Sequence, residues 1–189
     1  MNHVQASGLP LIRLCQPTWF RSVPEHFQFE PPLVGEAPSR YNSGGLRLAY
    51  FAPNPLLARF EARDLLGHWF GDAVPARRPR HVVVGYGIDI GTEPLIVDAR
   101  PPQLAIIETT VQEMTGDWLT YPWETRNAPT QDLAQALFSR EDKPTGLIAP
   151  SARNPRQANL ILFADRLPPK SISFAGTWLW HESQLLSRA

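Results

Sequence analysis

PSRYNSGGLRLAYFAPNPLLARFEARDLL, residues 38–66, decides how the rest of this chain is read. It reads as a loop, a short strand ending near Tyr50 and Phe51, a turn and then a helix. Asn54 is a good N-cap, because its side-chain oxygen accepts from an N–H of the first turn. Pro55 suits the first helical position, where the missing N–H would be an orphan anyway. From there Leu57, Phe60, Ala62, Leu65, Leu66 and Trp69 recur at helical spacing. Glu61 interrupts them. Its neighbours one turn away are Leu57, Ala58 and Leu65, so the spacing predicts a carboxylate projecting from a largely apolar face. Such a group is costly unless it is paired or used. One reading is a Glu at the edge of an amphipathic helix, bonded to a nearby Arg; the other is a working group in a site.

Composition narrows the classes. A chain of 189 residues with 43% hydrophobic residues and six Trp is long and apolar enough to bury its own core as a single domain, residues 1–189. A lone cysteine, Cys15, forbids an internal disulfide and fits a reducing compartment; in LIRLCQ it reads as a buried thiol. No run approaches a membrane span and no secretory leader pattern opens the chain, so the cytoplasm is expected. The 18 basic and 18 acidic residues cancel, which argues against nucleic acid as a direct ligand. The one basic cluster, Arg77, Arg78 and Arg80, reads as a solvated loop or an anion contact. Twenty prolines, twice the ordinary share of about 5%, are scattered and imply a loop-rich domain.

Along the chain, LIRLC is a first strand or helix and Trp19–Val23 is a strand. Residues 24–37 are loop. PARRPR connects the Glu61 helix to HVVVGYGIDI, a strand rich in β-branched residues, and LIVDAR is a further short strand. QLAIIETTVQEM reads as a helix beside a loop holding Trp118 and Trp123. Thr130 reads as the cap of a helix, QDLAQALFSR, with Leu133, Ala136 and Leu137 on one face. GLIAP, NLILFAD and ISFAGTWLW are strands. Short strands with a few helices make a mixed α/β or α+β domain.

Familiar motifs are weak. GYGIDIG (85–91) has the wrong spacing for a dinucleotide loop and is followed by another strand. His3, His26, His68, His81 and His181 form no ligand pair, so no metal is expected. There is no GxSxG elbow and Ser151 has no evident His partner, which disfavours a serine hydrolase.

Four pieces in order nevertheless resemble the RES domain family. They are WFRSV with Arg21, the run Arg40, Tyr41 and Asn42, LAYFAPNPLLARFE with Tyr50 and Glu61, and GLIAPSARNPRQANLILF with Ser151. The resemblance spans residues 17–165. The family usually carries a double glycine just before the loop Arg; here Pro38 and Ser39 stand there, and Gly44 and Gly45 follow. That family, named for its Arg, Glu and Ser, forms the toxin half of bacterial RES–Xre toxin–antitoxin pairs. The resemblance implies a fold like that of ADP-ribosyltransferases, a small twisted, mainly antiparallel sheet flanked by helices. It implies cleavage of the nicotinamide–ribose bond of NAD+ by hydrolysis or phosphorolysis, NAD+ being the substrate and inorganic phosphate the co-substrate in the second case. It implies an Xre-type antitoxin partner and a homodimer or a toxin–antitoxin hetero-oligomer, without direct DNA contact and without a membrane. Transfer of ADP-ribose to a protein, and a catalytically idle binding module, are the alternatives.

The residues carried over suit that chemistry. Glu61 would stabilise an oxocarbenium-like ribose. Arg40 and Arg21 would grip the pyrophosphate, with Tyr41 and Asn42 completing NAD+ binding. Tyr50 offers a ring face to nicotinamide and a hydroxyl to ribose, and Ser151 a hydrogen bond to ribose or carboxamide. Each has a purely structural alternative: Arg40 pairing with Glu36 or Asp64, Tyr50 in the core, Ser151 capping a turn.

Overall fold

Sheet pairing organises this chain, and its helices cover what the sheets leave open. The structure is a computed structural model; it describes residues 6–30, 32, 38–62, 81–91, 93, 95–116 and 127–178. Among these the strands are β1 (Leu11–Ile12), β2 (Thr18–Pro24), β3 (Leu48–Phe51), β4 (His81–Ile88), β5 (Ile96–Asp98), β6 (Gly146–Pro150), β7 (Ala158–Phe163) and β8 (Ile172–Trp178). The α-helices are α1 (Pro55–Glu61), α2 (Val111–Thr115) and α3 (Pro129–Phe138). The mixed α/β class with mainly antiparallel pairing is what the sequence predicts, but the strands divide into two sheets. One has the order β1-β5-β6-β7-β3, parallel only between β5 and β6; the other is β2-β4-β8, antiparallel throughout.

The two sheets pack face to face through strict alternation of side chains. Leu160 and Leu162 of β7 meet Val82, Val84 and Tyr86 of β4, while Ile161 and Phe163 point the other way, to Leu133 and Leu137 of α3. The β4 run HVVVGYGI is apolar nearly throughout because both its faces are covered: Val83 lies under Leu57 and Ala58 of α1. Where the sheets meet edge to edge, Phe20 of β2 and Ala52, just past β3, exchange backbone hydrogen bonds of 2.8 and 2.7 Å. That bridge is the seam at which the site lies.

Several local expectations need correction. QLAIIETTVQEM is two short pieces rather than one helix: a 3-10 turn, Gln103–Ile107, and α2. The backbone breaks at Glu108, which is left-handed at φ 51°, and restarts with a capping box of Thr110 and Glu113. Helix α3 begins at Pro129, so Thr130 lies inside its first turn instead of capping it; Ala128 holds the N-cap position. LIRLC contributes only the two-residue β1, and Cys15 is exposed rather than buried. Such a short edge strand leaves its neighbours uncovered. Leu65, Leu66, Trp69, the PARRPR cluster, Trp118 and Trp123 lie outside the described residues. Among the described residues, no helix is long and apolar enough to cross a membrane.

Candidate functional site

The helix that carries Glu61 forms as its sequence predicts. The Asn54 side chain accepts from the Leu57 N–H at 2.9 Å, Pro55 fills the first position, and Leu57 and Ala58 are buried. Helical geometry ends with Glu61, and Ala62 is the C-cap. This places a carboxylate at the negative end of the helix dipole, where charge is disfavoured. Two donors from the five-stranded sheet offset that. The Ser151 hydroxyl donates a short hydrogen bond to Glu61 Oε1, and Asn159 Nδ2 donates to the same oxygen at 2.7 Å. No hydrogen bond reaches Oε2 from the described residues.

Glu61 faces a cavity of about 370 Å³ at the seam of the two sheets, whose lining also includes Arg21, Ser39, Arg40, Tyr41, Tyr50, Arg153 and Asn159. Five of the seven residues that the sequence singles out therefore share one cavity: Arg21, Arg40, Tyr41, Tyr50 and Glu61. Ser151 stands behind it. It is completely buried, and its hydroxyl, besides donating to Glu61, accepts from the N–H groups of Arg153 and Asn154 at 3.1 and 3.0 Å. Ser151 thus caps a turn and holds a carboxylate, and it does not line the cavity where a ligand would meet it. Asn42 is the clear departure. Its Nδ2 donates to Leu46 O at 2.7 Å, and its Oδ1 accepts from Gly44 and Leu46 N–H. Asn42 fastens its own loop and is absent from the cavity wall.

That loop presents Arg40. Ser39 and Asn42 close a tight turn by backbone hydrogen bonds of 2.7 and 3.1 Å, and Gly44 and Gly45 take φ of 119° and 92°, open only to glycine at little cost. The guanidinium Nη1 donates to the carbonyls of Gly116 and Met114, at 2.6 and 3.3 Å, at the C-terminal end of α2, where a cation is favoured. Glu36 and Asp64, the alternative partners, lie outside the described residues. The first turn of α3 clamps the loop from below. Thr130 donates to Arg40 O, and Gln131 Nε2 to Ser39 O and Asn42 O at 2.8 and 3.2 Å. Both side chains are buried, and each of these bonds contributes about 1 kcal/mol to holding the loop.

Tyr50 binds the loop from the strand side, sharing a hydrogen bond of 2.6 Å with Ser39 Oγ and accepting from Tyr41 N–H. The serine that stands in place of a glycine is thus in use as a partner for the tyrosine. Burial raises the Tyr50 and Tyr41 hydroxyls above the ordinary phenol range, so both stay protonated donors at neutral pH. Arg21 faces inward on β2, and burial draws its guanidinium below the usual range, with Tyr86 and Tyr50 opposing.

Sequence reasoning missed Asn159, Thr130 and Gln131 as parts of this site. Asn159 had a local signal, a polar residue on the same strand face as Ile161 and Phe163. Gln131 had none, its partners being about ninety positions away. Among the described residues, no three His, Cys, Asp or Glu side chains gather as a metal site would need. The cavity holds three arginines and a single carboxylate. Three guanidinium groups around one carboxylate favour an anionic ligand.

The model of the RES domain family matches residues 10–178. The fold is similar to that of a chain in the crystal structure of the M. tuberculosis MbcT-MbcA toxin-antitoxin complex, with a TM-score of 0.68 over 97% of this chain and 93% of that one, at 14% identity. No curated protein matches the sequence.

Proposed function

The chain belongs to the RES domain family, and on that premise we propose that it is the toxin of a toxin–antitoxin pair and acts by cleaving the nicotinamide–ribose bond of NAD+. The observation that carries this reading is the Glu61 carboxylate, tethered through one oxygen and turned into a cavity lined by Arg21, Arg40 and Arg153. When the N-glycosidic bond breaks, its electron pair goes to the pyridinium nitrogen and nicotinamide leaves neutral. The leaving group needs no proton, which suits a site whose carboxylate is an acceptor rather than an acid. The positive charge then sits on the ribose ring, and a fixed carboxylate beside it lowers the barrier because it needs no reorganisation. Water or phosphate completes the bond at the vacated carbon.

Two arginines from separate elements suit the dinucleotide's two phosphates. The half-buried Tyr50 supplies a ring and a protonated hydroxyl to the cavity wall. The likeness to a chain from a toxin–antitoxin complex supports an antitoxin partner, for which an Xre-type protein is our reading, with assembly as a homodimer or a toxin–antitoxin hetero-oligomer in the cytoplasm. The test is nicotinamide release from NAD+ by the purified protein, with and without phosphate. Release in both conditions indicates hydrolysis, and release only with phosphate indicates phosphorolysis. A folded protein that releases none overturns NAD+ cleavage.

A further inference from the structure

We propose that Asn159 is a positioning residue for the reaction, holding Glu61 so that Oε2, and not Oε1, meets the ligand. This rests on the reading of Glu61 as the charge-stabilising group. Asn159 is the second residue of β7, on the face that continues through Ile161, the partner of Tyr50 in the sheet, and all three line the cavity. Its Nδ2 lies 2.7 Å from Glu61 Oε1. Its own Oδ1 is buried and finds no hydrogen-bond partner among the described residues. A buried acceptor is rarely left so. Turned over, the amide would set its oxygen against the carboxylate, so the unpartnered Oδ1 is the consequence of keeping the donor on Glu61. Ser151 donates to that same Oε1. With both donors on one oxygen, the carboxylate plane is fixed and its second oxygen is turned outward.

The helix bearing Glu61 adds a second tie of the same kind. At its other end Asn54 Nδ2 donates to Gln157 Oε1 at 2.8 Å, two residues before Asn159. Both ends of α1 are therefore fastened to the segment 151–159. The charged and titratable groups that share the cavity with Glu61 are Arg21 from β2, Arg40 and Tyr41 from the loop, Tyr50 from β3 and Arg153 beyond β6. Among the described residues the hydrogen bonds to the carboxylate come from Ser151 and Asn159, and these set its orientation.

The experiment is a crystal structure of Asn159→Ala beside that of the wild type, with kcat and KM for NAD+ cleavage by both and by Asn159→Asp across pH. With one of its two donors gone, the Glu61 carboxylate should turn about its remaining bond to Ser151, so that Oε1 leaves the place it holds in the wild type. At neutral pH kcat should fall at least tenfold while KM stays within twofold. In Asn159→Asp only a protonated Asp can donate to the carboxylate, so activity should survive in acid and fall as the pH rises, a limb the wild type lacks. A Glu61 carboxylate unmoved in Asn159→Ala overturns the proposal, as does a folded Asn159→Ala with kcat within threefold of the wild type. A wild type that cleaves no NAD+ refutes the reading of function instead, and the two structures then decide the positioning role by themselves.

Discussion

Replacing Glu61 with Gln removes a charge and almost nothing else. The amide oxygen of Gln can still accept from Ser151 and from Asn159, so the two ties between α1 and the five-stranded sheet persist. Each of those bonds weakens on losing a charged acceptor, by about 1 kcal/mol. Relief of a negative charge at the helix C-terminus returns some 0.3–1 kcal/mol. The net loss of stability is about 1–2 kcal/mol, a fall in Tm of roughly 2–8 °C for a chain of this size. The effect on catalysis should be far larger. A fixed group that stabilises transition-state charge is worth about 2.7–4 kcal/mol, or 10²–10³ in kcat. Initial rates of nicotinamide release from saturating NAD+, beside thermal melts of both proteins, test this. Turnover within threefold of the wild type would refute the electrostatic role assigned to Glu61. Loss of both the melt and the activity would show that the charge is structural.

Three further outcomes are expected. Ser151→Ala strands two backbone N–H groups as well as loosening Glu61, so it should cost roughly 1–3 kcal/mol in denaturant unfolding and lower kcat about tenfold. Gln131→Ala unclamps the Arg40 loop; its signature should be a KM for NAD+ raised several-fold with a smaller change in kcat, read from steady-state rates. Asp98 concerns stability alone: hydrogen bonds from Arg100 hold its carboxyl below the ordinary value of 3.8. The unfolded chain therefore takes up this proton more readily, so the contribution is present above about pH 4 and lost as the pH falls through the lower folded value. With Arg100 half-exposed the contribution is under about 1 kcal/mol, and melts of Asp98→Asn should fall less steeply than wild type below about pH 5.

The elements of this fold were legible where one signal decided them. Asn54 and Pro55 mark a helix start whatever surrounds them, and β4 declares itself by β-branched residues packed on both faces. The start of α3 was misplaced because Thr130 is an excellent cap by type, yet its hydroxyl is taken by the carbonyl of Arg40, ninety positions away. Cys15 followed its apolar neighbours in sequence, but a two-residue edge strand cannot cover them. The same limit divides the site. Arg21, Arg40, Tyr41, Tyr50 and Glu61 could be named because chemistry and resemblance select them, whereas nothing local says that Asn42 turns inward to its loop. That Ser151 reaches the cavity through Glu61 rather than lining it is legible only in the fold, which sets the two residues together from 90 positions apart.

The distance along the chain between Glu61 and its two holders also sets a clock. Ser151 follows Glu61 by 90 positions and Asn159 by 98. At 5–20 residues per second, a ribosome that has just made Glu61 needs roughly 5–20 s more to supply the donors that orient it. Through that interval the growing chain carries Arg21, Arg40, Tyr50 and Glu61, but not the part of the cavity wall that Pro150 of β6 and Asn159 and Ile161 of β7 supply. On the proposed function, a nascent chain lacks both holders of Glu61 until β7 has been made, and an antitoxin has that interval in which to be ready.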